Sequence, residues 1–348
     1  MNKKIILSLS AIMLLVAATG CGKTSNENKE NKESNVTSNE TSNKVEEKDE
    51  SLFVIKHKAS NESLAIADSK YFEEGTKKVI TDSKNIYVVK TFDNKVYYID
   101  DSNSLKAYDT KTEETKTYAL SKAKANYNTD ILPGKKYTVV TDGENFEIVN
   151  LENSTTNTVS LKNNRGTGVF DEENNTIYYS NNSVIYSYNI DTKVDTKISG
   201  AEGYPMYIDG NSVYVDGEVG TSDTFYAIDR KTKEVNKLNI KDYAPNVSSI
   251  PNFNIVDGVV YLTYNTNEKL VRYENNAETN ILEKEYLEYY IVGNNIYIAA
   301  APLASDGMGH EPFNEFYVYN MNTKEMKETS NMYAKKLFTE SDGVYNIK

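Results

Sequence analysis

From Leu52 to Lys348 apolar and polar residues alternate in short runs, crowded with Val, Ile, Thr, Tyr and Phe and broken by Asn, Asp and Gly. Successive side chains of a strand point to opposite faces, so a period of two marks half-buried β-structure; a helix would need apolar residues every three or four positions. β-Branched and aromatic residues suit such a pleated, half-covered surface. The pattern predicts a chain that is nearly all β.

The runs also repeat. A run ending in an aliphatic-Tyr pattern precedes a short gap, a second alternating run, a turn of Asp/Asn-x-Lys type and a Thr/Lys-rich run. Four copies are plain: "KVYYIDDSNSLKAYDTKTEETKTYAL", "TIYYSNNSVIYSYNIDTKVDTKIS", "SVYVDGEVGTSDTFYAIDRKTKEVNKL" and "NIYIAAAPLASDGMGHEPFNEFYVYNMNTKEMKE". Two are degenerate: "KYTVVTDGENFEIVNLENSTTNTVSL" and "VVYLTYNTNEKLVRYENNAETNIL". Aligning the turns on Asp109, Glu152, Asp191, Asp229, Glu274 and Asn322 gives spacings of 43, 39, 38, 45 and 48 residues. That is the size of a four-stranded propeller blade.

The six units fill Lys84 to Thr329 and leave a fragment at each end. "LFTESDGVYNIK" reads as the first two strands of another blade, and "SLFVIKHKASNESLAIADSKYFEEGTKKVI" as its outer strands. Joining them covers two apolar blade faces and the unpaired edges that an open ring would expose. The expected fold is an all-β propeller of about seven four-stranded blades, with six or eight as the alternatives, forming one domain over residues 52–348. Of the 28 tyrosines, Tyr98, Tyr178, Tyr214, Tyr261 and Tyr297 recur inside the runs and are expected to pack between blades.

The first fifty residues follow another pattern. Lys3 and Lys4 precede an apolar stretch, Ile5 to Val16, that is too short to span a bilayer, and Ala18-Thr19-Gly20-Cys21 follows. This resembles the lipobox of bacterial lipoproteins, with Ala18 where leucine is commonest. The resemblance implies cleavage after residue 20 and a diacylglyceryl thioether on Cys21, the chain's single cysteine; two acyl chains suffice for stable anchoring. The competing reading of Gly22-Lys23-Thr24 as a phosphate-binding loop fails, because that motif needs a glycine five residues before Gly22 and Ala17 stands there. Residues 21–51 are Asn, Glu, Lys, Ser and Thr with almost no hydrophobes, the composition of a disordered tether.

The formal charge is −12, and −14 once Lys3 and Lys4 leave with the leader. So acidic a chain repels nucleic acid, which argues against it as a partner. The repeats resemble the Tyr-rich β-propeller domains of Gram-positive lipoproteins, and more loosely YWTD-type and quinoprotein-like propellers. Trp is absent, so the tryptophan-docking signature of quinoprotein dehydrogenases is missing, and so is the Trp of Asp-box sialidases.

Catalytic chemistry is sparse. His57 and His310 are the only histidines and stand far apart, so zinc-ligand spacing is missing, as is a cysteine nucleophile beyond Cys21. "DDSNSLKAYD" and "DGENFE" cluster oxygen ligands without EF-hand spacing and read as hairpin turns. No catalytic residue, metal site or cofactor is assigned. Three long connections fall on one face of the ring, at 216–223, 241–252 and 301–312, and long loops on a rigid scaffold concentrate binding residues. The candidate ligand contacts are Asp216, Glu218, Tyr243, Asp306, Met308, His310 and Glu311. Together these features predict a lipid-anchored, extracytoplasmic propeller at the cell membrane that binds or scaffolds a protein or cell-envelope ligand. The alternative is a carboxylate-dependent hydrolase or lyase acting on envelope carbohydrate.

Overall fold

The computed structural model describes residues 51–347 apart from 59, 127, 161–167, 218–223, 239–252, 265–267, 276 and 306–308. Its strands form seven four-stranded antiparallel sheets. Each sheet is a blade, and successive blades touch through their inner strands, that of blade 7 meeting the third strand of blade 6, Lys269–Glu274, so that the blades form a ring. The protein is a seven-bladed β-propeller. Blade 1 straddles the termini; blades 2 to 7 begin at Ile86, Asp130, Gly168, Tyr204, Phe253 and Tyr286.

Ring closure differs from the two-plus-two arrangement expected from the terminal fragments. Blade 1 takes only its inner strand, Ser341–Asn346, from the C-terminus, and three strands, Phe53–His57, Glu62–Ala67 and Lys77–Ser83, from the N-terminal side. The residues assigned to the missing strand are helical instead. Ala334, Leu337 and Phe338 share one face at helical spacing, and helix α2 (Met332–Thr339) buries all three. The Asn331 side chain caps it, accepting from the N–H groups of Tyr333 and Ala334 at 2.9 and 3.0 Å. Asn331 also donates to the carbonyl of Phe72, 2.7 Å away. Phe72 lies in the one-turn helix α1 (Tyr71–Glu74), so the two ends of the chain meet here too.

The closing strand is held on both flanks. Ile55 pairs with Val344 inside blade 1. Asn346 donates to the carbonyl of Ile291 at 2.7 Å and accepts from the Gly293 N–H at 3.2 Å, both in blade 7. Thr91 of blade 2 donates to the carbonyl of Asn346.

The turn between third and fourth strands is the most regular local feature, and the structure corrects its alignment. The equivalent residues are Asp109, Asn150, Asn189, Asp229 and Asn320, each ending a third strand. Three of the five stand two residues before the positions aligned from sequence. Asp229 Oδ1, for example, accepts from the N–H groups of Lys231 and Thr232 at 2.8 and 2.7 Å. Four residues after each lies a left-handed residue: Glu113, Ser154, Lys193, Lys233 and Lys324. A short carboxylate or amide that bonds its own backbone two residues on is what this turn requires. Blade 6 departs from the rule, Glu274 pairing directly with Ala277.

The core lies in the seams between blades. Tyr98, Tyr178, Tyr261 and Tyr297 are buried, as expected of seam residues, and Tyr214 is half-buried. No helix among the described residues is long and apolar enough to cross a membrane.

Candidate functional site

The inner strands leave a cavity of about 770 Å3 along the ring axis, within the range of about 300–1,000 Å3 common for small-ligand clefts. It reaches from the middle of these strands to the turns that join first to second strands. Four lining residues are equivalent. Lys90, Tyr207, Asn254 and Tyr290 each stand three residues ahead of such a turn, which begin at Asp93, Gly210, Asp257 and Gly293. Asp93, Asp257 and the two glycines have positive φ, the geometry of a tight hairpin whose twist matches the strands.

The wall is divided. Blades 2 to 4 supply Lys90, Asp93, Lys135 and Glu172, whereas blades 5, 7 and 1 supply Tyr207, Tyr290 and Tyr345. The two lysines are already paired: Lys90 Nζ lies 3.0 Å from Asp130, and Lys135 Nζ 3.5 Å from Glu172. The other Glu172 oxygen accepts from the Lys135 N–H at 2.8 Å. Burial pushes the hydroxyls of Tyr290 and Tyr345 up to about 12 and raises that of Tyr207 as well. All three stay protonated near neutral pH and both donate and accept. The wall is thus polar and nearly charge-balanced.

Of the residues singled out from sequence, Cys21, Glu218, Tyr243, Asp306 and Met308 lie outside the described residues, and Asp216, His310 and Glu311 do not line the cavity. Asp216 is not a loop residue. It belongs to the strand Ser212–Gly217 and is 8% exposed. A Cβ on Gly203 would come within 1.9 Å of the Asp216 carbonyl, so the two backbones cross where only glycine fits. Glu311 is exposed, and its N–H donates to the Pro302 carbonyl at 2.9 Å. His310 forms a bridge with Leu303 that prolongs the blade 7 hairpin. Its ring stacks against both Tyr286 and Phe313, at centroid distances of 4.1 and 4.6 Å. Its Nδ1 lies 2.6 Å from the Glu311 carbonyl. The other histidine, His57, faces Lys77 Nζ at 2.8 Å. Burial, then Lys77, lowers its pKa. Among the described residues no group of three or more His, Cys, Asp or Glu is arranged to hold a metal ion.

Sequence reasoning missed this cavity. A usable signal was present: Tyr-x-x-Gly closes the inner strand in both "YIDG" and "YIVG".

No family model matches the sequence, and no curated protein matches it. Solved structures match in shape. The C-terminal WD40 domain of Sif2 superposes with a TM-score of 0.52 at 14% identity, covering 79% of each chain. The computationally designed Ika8 protein gives a TM-score of 0.52 at 10% identity, covering 81% of this chain and 88% of its own. Identities this low speak for the propeller fold alone.

Proposed function

We propose that this protein is a lipid-anchored, extracytoplasmic binding propeller, tethered through Cys21 and serving to hold a protein or cell-envelope ligand. One observation carries the binding role: a closed ring presents a cavity of about 770 Å3 lined by tyrosines and by lysine, aspartate and glutamate residues. Rigid scaffolds with convergent polar groups are suited to recognition, because little conformational entropy is lost on binding. Both histidines are engaged in packing or facing a lysine, which speaks against a histidine base. The leader, the small-residue site and the single cysteine support the anchor.

Two measurements test this reading. Full-length protein made in a bacterial host with labelled palmitate should carry label that Cys21→Ala abolishes; equal labelling of both would remove the anchor. Detergent-solubilised full-length protein should co-sediment with purified cell envelope. Failure to co-sediment would remove the binding role, and release of soluble sugars from the envelope would favour the hydrolase or lyase.

A further inference from the structure

The division of the cavity wall specifies a ligand chemistry, and this step rests on the binding role proposed above. On one side stand Tyr207, Tyr290 and Tyr345; on the other stand Lys90, Asp93, Lys135 and Glu172, of which Lys135 pairs with Glu172 and Lys90 with Asp130, a residue outside the lining. The Tyr290 ring is itself stacked on Phe338, at 5.0 Å and 27°, so this part of the wall is held in place. Each pair sets a donor beside acceptor oxygens, 3.0 and 3.5 Å apart.

We propose that the axial cavity binds a short neutral saccharide segment. A sugar ring has an apolar C–H face and an edge of hydroxyls, each of which donates and accepts. The C–H face fits a tyrosine wall, and the hydroxyl edge fits adjacent ammonium and carboxylate groups without displacing either charge. An anionic ligand such as a phosphate would need an uncompensated cation, and both lining lysines already face carboxylates. A wholly apolar ligand would strand the hydroxyls and ion pairs away from water, at a cost for each buried group left unpaired. The competing occupant is an extended peptide, whose recognition uses strand edges and side-chain sockets.

Calorimetric titration of the detergent-solubilised full-length protein tests the assignment. The probes are tri-N-acetylglucosamine, tri-galacturonate as the anionic counterpart, and the purified envelope. Wild type should bind the neutral trimer and prefer it to the anionic one by at least tenfold. Tyr207→Ala and Lys90→Met, taken from opposite walls and checked for unchanged melting, should each weaken it at least tenfold. If one variant melts early, the other still decides. Equal binding by wild type and variants, or preference for the anionic trimer, overturns the proposal. Envelope capture that is lost in the channel variants, with neither trimer bound, assigns the cavity to another occupant such as a peptide: the saccharide inference then fails while the binding role stands. No envelope capture by wild type sinks the binding role instead.

Discussion

The seams on either side of blade 4 share an apolar filling, and one of them adds a buried ion pair. Between blades 3 and 4, Leu132 at the end of an inner strand and Ile190 just after a third strand belong to one apolar cluster. Between blades 4 and 5 the apolar cluster includes Val169, which pairs with Tyr178 as Leu132 pairs with Val139, and the ion pair of Asp171 and Arg230 is added beside it. Arg230 Nε donates to Asp171 Oδ2 at 2.9 Å, and Nη2 reaches Oδ1 to complete a two-pronged pair. Nη1 donates to the Gly210 carbonyl at 2.7 Å and Nη2 to Glu173 at 2.9 Å. The Asp171 side chain is wholly buried and that of Arg230 is 9% exposed. Apolar contact has no preferred direction, whereas a bidentate guanidinium–carboxylate pair fixes both distance and angle. The 4–5 seam adds to its apolar packing a buried pair that defines register at the cost of desolvating two charges; the pair that spans the 3–4 seam, Lys135 with Glu172, has a lysine 66% exposed and leaves that seam to apolar volume.

The contrast is sharpest if one charge is removed. Arg230→Met strands Asp171 in the interior and should cost about 3–5 kcal/mol, read as a large drop in melting temperature or denaturant midpoint. A loss near that of an ordinary surface substitution would show that the pair is not buried in solution. Converting the seam to its neighbour's chemistry, Asp171→Leu with Arg230→Ile, should restore wild-type stability or exceed it by about 1–4 kcal/mol. Asn174 also bonds Asp171 but is exposed and regains water. A double variant no better than Arg230→Met alone would mean that direction, not volume, holds this seam. Ile190→Ala tests the apolar side. Its half-buried side chain puts the loss near or below the lower end of the roughly 2–5 kcal/mol seen for full burial.

The smallest effect concerns acid. Burial alone would raise Asp171, but the Arg230 guanidinium, followed by Asn174, holds it below the ordinary value of 3.8. A carboxylate with a lowered folded pKa contributes stability that is present above 3.8 and lost as pH falls through the folded value. Wild type should therefore lose stability below about pH 4 more steeply than the Leu/Ile double variant. Parallel melting curves from pH 5 to pH 2.5 would contradict this.

Legibility varied with the strand. Second, third and fourth strands repeat because each meets the same surroundings in every blade: a neighbour's face, a hairpin and solvent. Their alternation, and turns such as Asp229-Arg230-Lys231, were readable at once. Even so, Asn150, Asn189 and Asn320 were misaligned by two, because an Asp, Asn or Glu also follows two residues later in each. The inner strands were the obscure ones. "YPMYID", "FNIV" and "YLEYYIV" share little beyond hydrophobicity and the Tyr three residues before the turn in the first and third; the second sets Asn254 there. A repeat search dismisses that variation as noise, yet it is what builds the cavity.

Period-two patterning and a repeat of about forty residues determined an all-β propeller, since a blade cannot bury its faces without neighbours. The small-residue site ahead of Cys21 and the acidic balance were equally local properties of the sequence. Tertiary structure alone decided that one C-terminal strand, not two, closes the ring, because Leu337 and Phe338 are buried from a helix that fills the last seam. It alone brought Asp171 to Arg230, 59 residues apart in the chain, and gathered Lys90, Tyr207, Tyr290 and Tyr345 around one axis. Periodicity records what each residue does within its own blade; a seam or a channel is made of residues from several, and no local pattern encodes their meeting.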